Sequence, residues 1–358
     1  MAEKKFAFET GEVSVAFTII VGALGEAVIA KAVFDAVIKL VPNCKIDVFC
    51  PNKFSESCAK AFYGGNKNLN RVLSYQEFYA DNVKKYDAAL RAWHMVLVDA
   101  VNAQRLQSAA PNLLRSLQGV IEYNKKYVYK TDITGIVLRN MARARILGID
   151  RYTCLSCGGA LPIHDNRVEI SLSPEGERAF RKLKLRKNYI TIGSNLQNTD
   201  RMTRHTLKEW PAAYATEYIM LINRHLPQIQ VVQVGGGGVV KLANADVHLI
   251  DADLELVKHV LANSLLHVDC ESGLVHLATQ LGTKCLVLFG STDEKYYAFK
   301  ENLNLVSDFC TPCCFAWDDG SKCLRGAKEP PCMLSITPRQ VFDVTRNYLN
   351  RLGLKNNA

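Results

Sequence analysis

Short apolar runs and amphipathic segments alternate near the amino terminus. The β-branched run VSVAFTII precedes a glycine turn, and the next segment, EAVIAKAVFDAVIKLV, has apolar residues at helical spacing. A second apolar run, KIDVFC, follows Pro42 and Asn43. Apolar runs of this length predict buried strands, and the spacing between them predicts a helix. The pattern therefore predicts the opening of a doubly wound α/β domain with a parallel sheet.

The same alternation restarts near residue 175 and continues to the carboxyl terminus. Predicted strands are KNYITIGS, IQVVQVGGGG, LLHVDC and KCLVLFG, and predicted helices are SPEGERAFRKLKL, WPAAYATEYIMLINRHL, DLELVKHVLAN and GLVHLATQLG. The final stretch, TPRQVFDVTRNYLNRLG, predicts an amphipathic helix that ends at a glycine. In the first half, YDAALRAWHMVLVDAV predicts a later core strand with its following segment. The second half therefore predicts another parallel sheet.

The chain has 358 residues, which is more than a domain with one hydrophobic core usually contains and is enough for two domains. We predict a first domain over 1–175, a second over 176–337 and a carboxyl-terminal helix over 338–358. The polar and basic junction at 165–188 is the predicted hinge.

Composition and charge restrict the class of protein. Apolar residues make up 48% of the chain and charged residues 22%, which is typical of a folded soluble protein. The net charge of +9 favours an acidic partner such as a nucleotide, an anionic lipid or a phosphorylated glycan. Nucleic acid is not expected, because basic runs with interleaved aromatics are missing. The apolar run from Val13 to Gly25 stops at Glu26, short of the roughly 20 residues of a membrane span, so we expect a cytoplasmic protein.

Two common phosphate-binding motifs are missing. The first turn reads Gly22-Ala-Leu-Gly25, which lacks the spacing of GxGxxG, and the four glycines at 235–238 lack its helix-opening pattern. GxxxxGK[ST] is also missing. These observations disfavour a dinucleotide-dependent dehydrogenase and a P-loop enzyme.

The stretch HVDCESGLVHLATQLG places polar residues between a predicted strand and a predicted helix. Exposed amides at a helix start attract anions, and a glycine such as Gly273 lets a diphosphate approach the backbone. Ser272 can donate a hydrogen bond, and His276 falls in the first helical turn. These features predict a diphosphate site. The alternative is a capped helix with a buried histidine.

The longer string from Glu271 to Asp293 resembles the signature of glycosyltransferase family 9, the ADP-heptose heptosyltransferases. That signature reads Asp-Ser-Gly-x-x-His-Leu-Ala and is followed by a strand ending Phe-Gly-x-Thr-Asp; here Glu271 replaces the aspartate. The first turn is similar to the family's glycine–aspartate turn, with Glu26 as its acid. Lys208-Glu-Trp-Pro211 resembles its Lys-x-Trp-Pro element. The resemblance spans most of the chain and is weak from about residue 60 to 185.

The resemblance implies an α/β fold of the GT-B type, with two facing Rossmann-like doubly wound domains and a cleft between them. It implies an inverting transferase that moves a heptose or related sugar from an ADP-sugar to a hydroxyl of the lipopolysaccharide core or of a protein. Glu26 matches the catalytic acid position and Lys208 the phosphate-facing lysine. The donor side then comprises Asp269, Glu271, Ser272, Gly273, Leu274 and His276. Loop position adds Ser194, Arg201 and Arg204 to the donor side, and His94 and Asp99 to the acceptor side.

Five of the twelve cysteines are concentrated between residues 310 and 332. Cys310 and Cys313 have the spacing of a metal knuckle, and Cys323 and Cys332 complete four thiolates that suit structural zinc or iron. Cys314 is a spare that could replace Cys313. The family resemblance extends to autotransporter heptosyltransferases, which carry an iron-holding cysteine finger. The alternative is reduced or partly disulfide-linked thiols.

Other interpretations stay open at this point. Cys154-x-x-Cys157 is interpreted as a loop feature, with redox chemistry or a second metal as alternatives. A GT-B nucleotide-sugar isomerase or epimerase, or a non-catalytic sugar-nucleotide or metal sensor, would fit the same motifs. Partners expected for a transferase are a nucleotide sugar and the lipopolysaccharide core or protein acceptor. Peripheral association with the cytoplasmic face of the inner membrane and oligomerisation are left open.

Overall fold

The computed structural model describes residues 11–75, 83–128, 133–193, 206–314, 323–327 and 329–354. The chain divides into two compact units, one of Met1–Asn140 with Ile149–Ser171 and the other of Met141–Gly148 with Leu172–Ala358. Each unit is built on one mainly parallel sheet flanked by helices. The two predicted α/β halves are therefore confirmed as a fold class.

The first unit contains five strands in the order β3-β2-β1-β4-β5. They are β1 (Ser14–Ile19), β2 (Lys45–Cys50), β3 (Leu69–Ser74), β4 (Ala88–Ala92) and β5 (Val96–Val101). The helices that begin in this part of the chain are α1 (Leu24–Leu40), α2 (Lys53–Tyr63), α3 (Ala103–Ala109), α4 (Pro111–Tyr127) and α5 (Ile133–Leu147).

The stretch around Trp93 forms a core strand and a second strand that follows it. β4 and β5 pair antiparallel, and the Trp93 amide donates to the Met95 carbonyl at 2.9 Å in the turn between them. The predicted core strand is confirmed as β4, and the segment that follows it, whose structure the sequence left open, is the antiparallel strand β5.

The strand order places the topological switch point of the first unit between β1 and β4. β1 pairs parallel with β2 on one side and with β4 on the other. Beyond the carboxyl end of β1, the Ile20 amide donates to the Ala92 carbonyl at 3.1 Å. Ligands of doubly wound sheets bind outside the carboxyl ends of strands at such a point.

The second unit contains six strands in the order β11-β10-β9-β6-β7-β8. They are β6 (Tyr189–Gly193), β7 (Gln230–Gly235), β8 (Val247–Ile250), β9 (His267–Cys270), β10 (Cys285–Phe289) and β11 (Leu303–Val306), and neighbouring strands are parallel. Its helices are α6 (Pro174–Lys182), α7 (Ala212–His225), α8 (Leu254–Ala262), α9 (Gly273–Gln280), α10 (Glu294–Tyr297), α11 (Pro331–Leu334) and α12 (Pro338–Arg351). The sequence pattern missed β8 and β11, which are four-residue, partly exposed edge strands.

The core of the second unit explains why several of its strands and its last helix were predictable. β6 and β10 are almost wholly buried, so their sequences are mainly apolar; β9 is also buried but includes the polar residues His267 and Asp269. The predicted helix at the carboxyl terminus is confirmed as α12; its Val341, Phe342 and Leu349 join the core cluster that also contains Tyr218. In the described part of the chain, no helix has the length and apolar character needed to cross a membrane.

Candidate functional site

The loop after β9 lies at the switch point of the second unit. β6 and β9 are neighbours, and the pairing of Thr191 with His267 brings Gly193 beside Asp269. From Asp269 to Ser272 the chain leaves the strand, and α9 begins at Gly273. The sequence-predicted residues Asp269, Glu271, Ser272, Gly273, Leu274 and His276 therefore lie together at the edge where doubly wound sheets bind ligands.

Ser272 is the N-cap of α9. Its Oγ accepts a hydrogen bond from the Val275 amide at 3.4 Å, and its hydroxyl donates to Asp269 Oδ2 at 2.6 Å. The hydroxyl proton that the sequence assigned to a diphosphate is thus used within the loop. Ser272 therefore orders the helix start.

Two backbone amides at this helix start precede the first intrahelical bond. That bond runs from the His276 amide to the Ser272 carbonyl at 3.3 Å, and the Val275 amide is capped by Ser272. The amides of Gly273 and Leu274 therefore belong to the opening turn, which leaves its donors to a ligand or solvent. Together with the positive end of the helix dipole, they favour a phosphate group.

Glu271 is the centre of a buried charged cluster. Lys208 Nζ lies 2.6 Å from Glu271 Oε2, and His276 Nε2 lies 3.5 Å from Oε1. Burial opposes ionisation of Glu271, but Lys208 and His276 outweigh it and hold the pKa of this carboxyl at about 2. The carboxylate is charged at neutral pH, and it fixes the lysine and the histidine beside the start of α9.

Lys208 is held in place by its neighbours in the chain. It ends a short 3-10 turn, Thr206–Lys208, in which the carbonyl of buried Leu207 accepts a hydrogen bond from Ser291 Oγ at 2.8 Å. The Trp210 indole donates to the Ile336 carbonyl at 2.8 Å. The Lys208 ammonium also lies over the Tyr297 ring, 5.7 Å from its centroid. The Lys-x-Trp-Pro element therefore anchors the lysine by burying the residues around it.

Glu209 is a titratable group that the sequence reasoning did not assign. Burial, and secondarily the charge of Asp269, raise the pKa of Glu209 to about 7. This carboxyl therefore changes its charge near neutral pH, close to the loop that runs from Asp269 to Ser272. Its position between Lys208 and Trp210 is visible in the sequence, but its proximity to Asp269 arises only from folding.

A glycine is required at position 193 because the Asp269 carboxylate occupies the space that a side chain would need. A Cβ on Gly193 would collide with the Asp269 carboxylate, whereas a Cβ on Gly236 would meet no atom within 4 Å. We expect Gly193→Ala to lower the free energy of unfolding by about 1–3 kcal/mol through overpacking, and to displace the loop that carries Ser272. Gly236→Ala is the matched control and should keep wild-type stability in thermal and urea unfolding. Equal stability of the two variants would contradict this reading of the loop.

Glu271 should make stability depend on pH. Its pKa is about 2 in the folded chain against an ordinary value of 4.5. A carboxyl with a depressed folded pKa contributes stability above its unfolded pKa and loses it as pH falls toward the folded value. We expect the wild type to lose stability relative to Glu271→Gln between about pH 5 and pH 2. Urea unfolding of both proteins across this range tests it, and parallel curves would show that Glu271 makes no such contribution.

Glu26 and His94 lie near the switch point of the first unit. Glu26 is in the first turn of α1, and Arg151 Nη2 lies 2.6 Å from its Oε2. Gly22 permits close packing of this turn against the Asn52 side chain. His94 is buried just after β4, and its carbonyl accepts from Asn140 Nδ2 at 2.8 Å. The Glu26 carboxylate therefore lies at the amino-terminal end of α1, where it pairs with Arg151.

Of the four remaining predicted polar residues, the structure describes one, Asp99. Asp99 lies within β5, where its Oδ2 accepts a hydrogen bond from Arg91 Nε at 2.8 Å. Ser194, Arg201 and Arg204 lie outside the described residues.

The cysteines of the predicted metal set influence one another. Burial raises the pKa of Cys313, and Cys310 and Cys323 add to the rise. Burial also raises the pKa of Cys332 to about 12, again with contributions from Cys310 and Cys313. Among the residues the structure describes, however, no three cysteine, histidine or acidic side chains form a group that could hold a metal ion. The metal prediction is therefore not confirmed.

The Cys154–Cys157 pair lies at a short 3-10 helix, Thr153–Ser156. Cys154 Sγ lies 3.2 Å from the Arg151 carbonyl, and Cys157 adopts a left-handed backbone with φ of 51°. Both thiols are buried.

Comparison with known proteins finds likeness in structure rather than in sequence. No protein-family model matches the chain, and no curated protein sequence matches it. ADP-heptose lipopolysaccharide heptosyltransferase II of E. coli has a TM-score of 0.60 at 13% identity, over 95% of this chain and 99% of the other. A glycosyltransferase family 9 structure from Veillonella parvula DSM 2008 has a TM-score of 0.59 at 13% identity, over 96% of this chain and 99% of the other.

A third similar structure is the iron-containing, dodecameric heptosyltransferase TibC in complex with ADP-D-β-D-heptose. It has a TM-score of 0.58 at 15% identity, over 95% of this chain and 78% of the other; TibC comes from enterotoxigenic E. coli H10407. At such identities the likeness establishes the fold. This chain has the two-unit α/β fold of these heptosyltransferases, the GT-B fold.

Proposed function

We propose that this protein is an inverting glycosyltransferase of the family 9 type. It transfers a heptose or related sugar from an ADP-sugar to a hydroxyl of the lipopolysaccharide core or of a protein. The observation that carries the proposal is the cluster of Lys208, Glu271 and His276 beside the opening amides of α9, at the switch point of the second sheet. Support for the donor comes from TibC, which has this fold and binds ADP-D-β-D-heptose.

The second unit is proposed to stabilise the leaving diphosphate. As the bond between the sugar anomeric carbon and the phosphate oxygen breaks, negative charge grows on that oxygen. Donors that are already in position stabilise such charge without reorganising. The amides of Gly273 and Leu274 and the Lys208 ammonium supply these donors, and Glu271 holds the ammonium in place. Asp269 and Glu271 are proposed to order the loop and to contact sugar hydroxyls.

Glu26 of the first unit is proposed as the general base. It accepts the proton of the acceptor hydroxyl while that oxygen forms its bond to the anomeric carbon from the face opposite the diphosphate. The products are an inverted glycoside, the nucleoside diphosphate and a protonated Glu26, so atoms and charge balance. A general base must lie within hydrogen-bond distance of the proton that it accepts. His94 is proposed to contact the acceptor beside Glu26.

A donor screen followed by a transfer assay tests the proposal. We expect ADP-sugars to raise the melting temperature more than GDP- or UDP-sugars, because a ligand of the native state stabilises it by mass action. Transfer to an acceptor should then release ADP. Donor turnover without an acceptor would instead indicate an isomerase, and binding without turnover a sensor.

We also propose that Cys310, Cys313, Cys323 and Cys332 would hold a structural zinc or iron ion. The mutual influence of these thiols supports it, as does the iron of TibC. Four protein ligands leave no open position, so the metal would stabilise rather than catalyse. We expect metal analysis of Cys323→Ser to show loss of the ion and a lower melting temperature, while Cys314→Ser keeps both. A metal-free wild type as stable as Cys323→Ser would contradict the site.

The cytoplasm, including the cytoplasmic face of the inner membrane, is the proposed location. The net charge of +9 suits an acceptor with phosphate or acid groups there. Oligomerisation is proposed by analogy with dodecameric TibC, and light scattering of the purified protein measures it.

A further inference from the structure

A buried arginine contacts the carboxylate at the opening of α1. Arg151 is 1% exposed, and its Nη2 lies 2.6 Å from Glu26 Oε2, whereas the Glu26 side chain is 19% exposed. The two residues are 125 positions apart in the sequence. In this ion pair, the Arg151 side chain is buried, whereas part of the Glu26 side chain reaches solvent.

The backbone around Arg151 is fixed by its own turn. Asp150 Oδ1 accepts hydrogen bonds from the amides of Tyr152 and Thr153 at 3.0 and 2.8 Å, and the Asp150 amide donates to Thr153 Oγ1 at 2.8 Å. A 3-10 helix, Thr153–Ser156, follows directly. The guanidinium is therefore presented to Glu26 from a rigid, closely hydrogen-bonded segment.

We propose that Arg151 is a positioning residue for Glu26. This inference rests on the proposed function, in which Glu26 accepts the acceptor's proton. The hydrogen bond to Oε2 stops the carboxylate from rotating and leaves Oε1 to receive that proton. A glutamate has three rotatable side-chain bonds, and ordering them costs conformational entropy. Arg151 orders them before the substrate binds.

Kinetics of Arg151→Met and Arg151→Lys test the inference. Arg151→Met should lower kcat by about 10–100-fold, as expected for a misplaced catalytic group, and leave the donor KM within about twofold. Arg151→Lys keeps one charged donor and should restore part of kcat. In a Glu26→Gln background, Arg151→Met should cause no further loss of kcat, because the group it positions is already removed.

Arg71→Met is the matched control for a purely structural effect. Arg71 Nη2 lies 2.5 Å from Oδ2 of the buried Asp47, in the same unit. Its loss should lower the melting temperature and leave kcat near wild type. Unchanged kcat in Arg151→Met, or an equal further loss in the Glu26→Gln background, would overturn the inference. A wild type that transfers no sugar would instead remove the proposed function, so the two failures are distinguishable.

Discussion

Glu26→Gln is expected to lower the turnover number by about 10²–10⁴-fold, the range that a positioned general base contributes. Glutamine keeps the size of the side chain and can still contact Arg151, but it cannot accept the proton of the attacking hydroxyl. Donor binding should be unchanged, because the proposed donor residues belong to the second unit. Steady-state kinetics give the turnover number, and titration of the melting temperature with the ADP-sugar gives the affinity.

Glu56→Gln is a matched control for this experiment. Glu56 is also an acid in the first turn of a helix, α2, in the same unit. Its replacement should leave turnover near wild type. Wild-type turnover in Glu26→Gln, with nucleotide binding preserved, would remove Glu26 from the mechanism.

Lys208→Gln is expected to lower turnover by about 10²–10³-fold, as the loss of one preorganised donor does in other charge-stabilising sites. It should also weaken donor binding. The variant leaves the buried Glu271 carboxylate without its nearest cation, and breaking a buried ion pair costs about 3–5 kcal/mol of stability. Thermal unfolding and kinetics measured together separate the two effects.

The double variant Lys208→Gln, Glu271→Gln distinguishes chemistry from folding. Removing both charges should recover much of the stability without recovering turnover. Lys258→Met provides a control, since the buried Lys258 side chain pairs with Glu255 at 2.8 Å in the same unit. It should lose stability and keep its turnover number. A double variant with wild-type turnover would show that Lys208 has no role in the reaction.

Much of the fold follows from local pattern. β10 is buried along its length, and its apolar run is unbroken. The short edge strands β8 and β11 are partly exposed and leave a weaker pattern. The antiparallel pairing of β4 with β5 was not predicted, because the sequence left open the structure of the segment after the core strand.

The candidate site was predictable only in part, because the sequence shows its residues but not the hydrogen bonds among them. Glu271, Ser272, Gly273 and His276 are close in sequence, so one helix turn brings them together. Ser272 was nevertheless assigned a ligand contact, whereas its hydroxyl donates to Asp269. A motif identifies which polar groups are present, but the hydrogen bonds among them depend on the surrounding backbone.

The sequence by itself determined the two α/β halves, the helix start at Gly273 and the residue types available for an anion. These features depend on periodicity and on spacing within one element. Tertiary structure alone decided that Lys208 pairs with Glu271 across 63 positions, that Gly193 must yield space to Asp269, and that Arg151 contacts Glu26. Such contacts arise from strand order and from packing between distant segments, and no local pattern along the chain encodes them.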